Sequence, residues 1–251
     1  MTRLLEADLR ELARRLSPAA RVTVVTGAGV SAASGVPTFR GPGGLWKDFR
    51  PEDLATPGAF ARDPKTVWEW YDWRRQLVAR CRPNRAHEVL ALWSRRYPSF
   101  TLVTQNVDGL HERAGTERVV RFHGSLWEVS CWKECRAGSW PDDTVPFPRL
   151  PPPCPHCGGP LRPGVVWFGE AIPSAALEAA ERALDCDVCL VVGTSSVVYP
   201  AAGLASEAKS RGAFTAEINP EATPATSELD LAIPGRAEEA LDRIESILTG
   251  C

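Results

Sequence analysis

Apolar and polar positions recur along this chain in two distinct patterns. Short runs at 22–26, 100–104, 119–122, 188–192 and 214–218 are mainly apolar or threonine and rich in β-branched residues, with Arg121 and Glu217 the charges among them, the pattern of strands covered on both faces. Between them the apolar positions return every three or four residues. Leu5, Leu9, Leu12 and Leu16 do so ahead of Ser17-Pro18, and Ala237, Ala240, Leu241, Ile244 and Leu248 do so near the end of the chain. A helix is also predicted over 64–81, dense in Trp68, Trp70, Tyr71 and Trp73, another from Pro83-Asn84 to about Arg96, and an alanine-rich one over 175–184. An extended run at 161–170 and a last short strand at 231–233 complete the pattern. Buried strands alternating with amphipathic helices predict an α/β fold on a parallel sheet.

The stretch Arg21 to Leu45, RVTVVTGAGVSAASGVPTFRGPGGL, organises the rest. Its strand runs into Gly27, Gly29 and a series of small residues, so the backbone can turn sharply into a helix start whose free N–H groups suit a phosphate. This resembles a dinucleotide-binding turn, although a glycine-rich turn without a ligand has the same composition. The acid that a dehydrogenase places about 20 residues on, at the end of a second strand, is missing. Asp48, Glu52 and Asp53 have no strand-like context, and Pro37 to Gly44 reads as a lid-like loop carrying Phe39 and Arg40.

Composition narrows the class. At 251 residues, the chain can bury one large core or one large and one small core. A formal net charge of −2 gives no general attraction to nucleic acid or anionic membrane. No apolar run is long enough to span a bilayer, and charges interrupt the N-terminal segment where a signal peptide would be apolar, so a cytoplasmic protein is expected. Eight cysteines could suggest disulfides, but four fall in one window as Cys131-x3-Cys135 and Cys154-x2-Cys157. That clustering predicts a zinc site, closed by four thiolates and therefore structural. His156 is a weaker alternative ligand. Cys186 and Cys189 read as small buried hydrophobes.

Candidate chemistry gathers where strands end. Gln105, Asn106, Val107 and Asp108 follow the 100–104 strand, and ligands of open α/β sheets collect at the carboxyl ends of strands; turn chemistry alone would also explain Asn, Asp and Gly. His123, at a strand end before Gly124, is placed to act as a general base. His87 reads as core or capping and His111 as structural. Tyr71 and Arg74 share one helix face and could together bind a carboxylate. Taken alone they read more plainly as a half-buried tyrosine beside a solvated arginine, and Arg75, Arg80, Arg82 and Arg85 read as solvated surface. The 161–170 run is either an ordinary edge strand or one that accepts a peptide strand.

Taken in order, GAGVSAASGVPTFRG, TQNVDGLHERAG, FHG, the cysteine window, VVWFGE, VVGTSSVVYPAA and the Asn219-Pro220-Glu221 turn resemble the sirtuin family of NAD-dependent protein-lysine deacylases. The three-residue spacing of the first cysteine pair departs from the family's usual two. The resemblance implies a Rossmann-like large domain (1–41, 87–123 and 166–251) with a small domain formed by a helical insertion (42–86) and a zinc module (124–165). NAD and an acylated protein lysine would meet between them. Tyr-x-x-Arg at this place resembles the subgroup that removes succinyl, malonyl and glutaryl groups, which reverses the plain reading of Tyr71 and Arg74.

By that resemblance Gly27, Ala28, Gly29 and Ser31 hold the pyrophosphate, and Phe39 and Arg40 form the lid. Gln105, Asn106, Val107 and Asp108 position ribose and nicotinamide, while Gly193, Thr194, Ser195, Asn219, Glu221 and Ala237 line the adenosine end. Val166, Trp167 and Phe168 take an extended peptide. Catalysis falls to His123 with Asn106 and Asp108: the acyl oxygen attacks C1′ of the nicotinamide ribose and nicotinamide departs, His123 takes a proton from the ribose hydroxyl that then attacks the imidate carbon, and water yields free lysine and O-acyl-ADP-ribose. Two rivals remain at this stage. One is an NAD glycohydrolase or mono-ADP-ribosyltransferase; the other is a zinc-ribbon binding module.

Overall fold

The computed structural model describes residues 3–39, 44–45, 50–136 and 138–250. The Arg40 assignment falls outside them. In chain order the main elements are α1 (Arg3–Arg15), β1 (Val22–Thr26), a 3-10 helix (Ala28–Ser34), α2 (Pro51–Leu54), α3 (Pro57–Arg62), α4 (Pro64–Arg80), α5 (Arg85–Arg96) and β2 (Phe100–Thr104). There follow α6 (Leu110–Arg113), β3 (Val119–Arg121), β4 (Gly124–Cys131), β5 (Ser139–Pro141), β6 (Leu161–Val165), α7 (Ser174–Ala183), β7 (Val188–Val192), α8 (Leu204–Ser210), β8 (Phe214–Asn219), β9 (Leu231–Pro234) and α9 (Ala237–Thr249).

Six strands form one sheet in the order β3-β2-β1-β7-β8-β9, every neighbouring pair parallel. β1 and β7 sit at its centre and are buried at every position, as continuous apolar runs require. One apolar cluster covers one face, joining Leu9, Leu12, Trp93, Tyr97 and Ile244; a second covers the other, around Val103, Phe122, Leu184 and Ala208. A separate antiparallel sheet, β5-β4-β6, packs with α3 and α4 into a third cluster that includes Phe60, Trp68, Val129 and Trp167. This is a Rossmann-like parallel sheet beside a smaller helical and cysteine-bearing unit.

The 161–170 run divides differently from expectation. Only Leu161–Val165 is a strand, and the chain then leaves the sheet. Val166 N–H donates to His123 O, Trp167 N–H to the Glu170 carboxylate and Phe168 N–H to Ala55 O, at 2.8 to 2.9 Å. Gly169, at φ +87°, makes the bend that a side chain would strain.

Candidate functional site

Strand order reverses at the boundary between β1 and β7, because β2 and β3 lie to one side and β8 and β9 to the other. Loops leaving such a pair diverge and open a crevice. Here the crevice is a cavity of about 1030 Å³. The two loops touch before parting: Gly27 N–H donates to Val192 O (3.1 Å) and Gly29 N–H to Gly193 O (2.7 Å). A Cβ on Gly27 would lie 2.7 Å from Thr194 Cα, and one on Gly193 would lie 2.5 Å from Val30 N. Glycine is therefore required for loop against loop, before any ligand is considered.

Gly27, Ala28, Gly29, Phe39, Gln105, Asn106, Val107 and His123 line the cavity, as do Gly193, Thr194, Ser195, Asn219, Glu221 and Ala237 at one end and Tyr71, Arg74, Val166, Trp167 and Phe168 at the other. Ser31 and Asp108 differ from expectation, since both are buried behind the wall. Ser31 Oγ donates to Asp108 Oδ2 (2.8 Å), and Asp108 Oδ1 accepts from Leu110 N–H (2.8 Å). Asn106 Nδ2 spans Gly27 O (3.0 Å) and Ser31 Oγ (3.3 Å), joining this cluster to the glycine loop. Burial pushes the Asp108 carboxyl above its ordinary pKa, and the two donors oppose that.

Behind Ser31 stand two histidines. Asn84 N–H donates to His87 Nδ1 (3.2 Å) as part of a capping box, so in the neutral ring the proton sits on Nε2, 3.3 Å from Ser31 Oγ. His111 Nε2 lies 3.1 Å from Thr26 Oγ1, which itself donates to Thr104 Oγ1 (2.8 Å). The two rings are 4.8 Å apart. Burial lowers the His87 pKa to about 4 and that of His111 well below its ordinary value, so both are neutral near pH 7. His87 thus caps α5 and also orients Ser31, the second role being one that sequence spacing does not reveal.

Among the described residues His123 makes one hydrogen bond, between Nδ1 and Gln105 O (3.3 Å). A carbonyl only accepts, so Nδ1 carries the proton and Nε2 keeps its lone pair. Burial lowers its pKa, with the Gln105 carbonyl opposing. A neutral imidazole with an unprotonated nitrogen at a cavity wall can serve as a base.

At the other end Arg74 is not solvated. It is 6% exposed, with its guanidinium 4.8 Å from the ring centroids of both Phe39 and Trp70. Tyr71 beside it accepts from Trp167 Nε1 (3.0 Å) and is also buried. Arg75, read from sequence as surface, is fully buried: it donates to Leu126 O and to both the carbonyl and carboxylate of Asp142.

The sulfurs of Cys131, Cys135, Cys154 and Cys157 lie within 4.8 Å of one another. Four thiols so gathered fit a tetrahedral zinc ion and leave no position open for substrate. The extra residue between the first pair is taken up by a turn with Glu134 at φ +51°. His156 is exposed and stacks edge-on to Trp140, outside the cluster. Cys186 and Cys189 are buried, as their apolar setting predicted.

Comparison with known proteins agrees with this architecture. The model of the Sir2 family matches residues 27–200. The NAD-dependent protein deacylase of Aquifex aeolicus is 51% identical over 228 residues, spanning 90% of this chain and 95% of that one. A crystal structure of a Sir2 homolog–NAD complex superposes with a TM-score of 0.88 at 44% identity, covering 96% of this chain and 94% of its own. A Sir2–p53 peptide–NAD+ structure does so with a TM-score of 0.83 at 27% identity, covering 97% and 99%. On the family match and on relatives of this identity and coverage, the chain belongs to the Sir2 family.

Proposed function

We propose that this protein is an NAD-dependent protein-lysine deacylase whose acyl pocket favours chains ending in a carboxylate: succinyl, malonyl or glutaryl. NAD dependence and deacylation rest on the relatives so named. The acyl preference rests on one observation: the buried Arg74 guanidinium faces the cavity without a hydrogen bond or ion pair among the described residues. Burial disfavours the Arg74 charge; Tyr71 and the Asp108 carboxyl oppose this only through space, without a direct ion pair, so a carboxylate in contact would be favoured. A carboxylate meeting it would accept two parallel hydrogen bonds from the guanidinium, with the Tyr71 hydroxyl at hand for a third.

In this reading Gly27, Ala28 and Gly29 carry the pyrophosphate, with Ser31 bracing the loop from behind. Phe39 and Arg40 cover the ribose. Gln105, Asn106 and Val107 place the nicotinamide end, and Asp108 fixes Asn106 through Ser31. Gly193, Thr194, Ser195, Asn219, Glu221 and Ala237 hold the adenosine end. Val166, Trp167 and Phe168 border the peptide, and His123 takes the proton of the attacking ribose hydroxyl. The cleft keeps the reacting atoms from bulk water, which matters because an amide oxygen is a weak nucleophile competing with solvent. Cys131, Cys135, Cys154 and Cys157 hold a structural zinc. The large domain comprises 1–41, 87–123 and 166–251; 42–86 and 124–165 are insertions that build the small one. Among the described residues no helix is long and apolar enough to cross a membrane.

The test compares one lysine peptide carrying acetyl or succinyl, with and without NAD, scoring nicotinamide and deacylated peptide. NAD-dependent turnover favouring succinyl is expected. Arg74→Met should lower desuccinylation by about 10- to 150-fold, the worth of a charged hydrogen bond of roughly 1.5–3 kcal/mol, and spare deacetylation. Equal losses on both peptides would remove the carboxylate reading. NAD cleavage without deacylation would instead favour a glycohydrolase.

A further inference from the structure

Among the described residues Arg74 makes ring contacts but no hydrogen bond or ion pair, so its place in the cavity depends on where α4 lies. That helix is docked by one face. Trp68, Tyr71, Asp72 and Arg75, at i, i+3, i+4 and i+7, all meet the three-stranded sheet or the segments flanking it. Trp68 Nε1 donates to Leu161 O (2.6 Å). Asp72 Oδ1 accepts from Phe147 N–H (2.9 Å). Arg75, with no exposed surface, donates to Leu126 O (2.8 Å), to Asp142 O and Oδ1 (2.7 Å each) and to Thr144 O (3.2 Å), between the rings of Trp127 and Phe147. Four acceptors on two segments need the rigid fork of a guanidinium, which a lysine cannot reproduce.

We infer that Asp72 and Arg75 are positioning residues for acyl selectivity: by locking α4 onto β4 and the 142–147 segment, they set the depth of Tyr71 and Arg74 in the cavity. This rests on the carboxylate-reading role of Arg74. Neither Asp72 nor Arg75 lines the cavity, so neither touches substrate or cofactor. An acetyl group has no carboxylate to misplace. Loosening the dock should therefore be felt by succinyl-lysine and not by acetyl-lysine or NAD. Bidentate geometry is lost with a displacement of about 1 Å, whereas aromatic packing tolerates it.

The experiment measures kcat and KM for both peptides, and KM for NAD, in the wild type, Arg75→Lys, Asp72→Ala and Asp72→Asn, with a thermal melt of each. Arg75→Lys and Asp72→Ala are expected to raise KM for the succinyl peptide about tenfold. Their kcat, their KM for acetyl peptide and their KM for NAD should stay within about twofold of wild type on the same reasoning. Asp72→Asn keeps an oxygen for Phe147 N–H and should behave as wild type. Proportional losses on the two peptides, or equal behaviour of Asp72→Asn and Asp72→Ala, would overturn the proposal. If Arg75→Lys does not fold, the Asp72 pair decides. A wild type indifferent to succinyl and acetyl would fail at the outset, identifying the Arg74 reading as the error.

Discussion

His123 ties two observations to a measurable quantity. Its Nδ1–H is committed to the Gln105 carbonyl, and burial lowers its pKa below the ordinary 6.5. A base must be neutral to act, so activity is lost only as pH falls through that lowered value. The acidic limb of a kcat/KM–pH profile should have its midpoint below 6.5. A midpoint above about 7 would contradict the burial described here. His123→Tyr should abolish turnover at every pH while leaving NAD binding measurable by calorimetry. Residue types alone made His123 and the cysteines legible, because a histidine at a strand end and paired thiols have few structural uses. They did not make Arg75 legible, since arginine is ordinarily exposed. Its spacing from Trp68, Tyr71 and Asp72 was the available signal.

At the scale of elements, the apolar runs marked the parallel strands to within a residue or two. The exception was 161–170, where the same run of apolar residues crosses from sheet to bend. There the turn is imposed by Gly169 and by partners as distant as His123 and Ala55, which local sequence cannot express. Strand order, and with it the reversal between β1 and β7, was likewise invisible, because it depends on which helices cover which face. The three-stranded sheet and α4 share a core separate from those of the parallel sheet, and the cysteine cluster stands beside it. Stripping zinc with a strong chelator should release one ion per chain. It should also add a second, lower thermal transition confined to this unit, as a small core that depends on a metal staple requires. A single unchanged transition would show that the module holds without metal.

Over the whole molecule, the buried histidines link folding to pH. His87 has a folded pKa of about 4 against an ordinary 6.5, so the unfolded chain binds the proton more readily. Stability from this residue is therefore complete above about 6.5 and is lost as pH falls towards about 4, amounting to about 3 kcal/mol. His111 acts in the same direction. Urea titrations across this window should show a declining free energy of unfolding, with a shallower decline in His87→Gln. An equal slope in the variant would assign the effect to other groups.

One cavity is lined both by Glu221 and Ala237, beyond β8 and β9, and by Tyr71 and Arg74 on α4. One tethered molecule can therefore occupy both ends in a single binding event, its second half arriving at the high effective concentration that a short linker confers. If the functional reading proposed above holds, an inhibitor built this way would draw its affinity from the NAD end and its selectivity from a carboxylate at the Arg74 end.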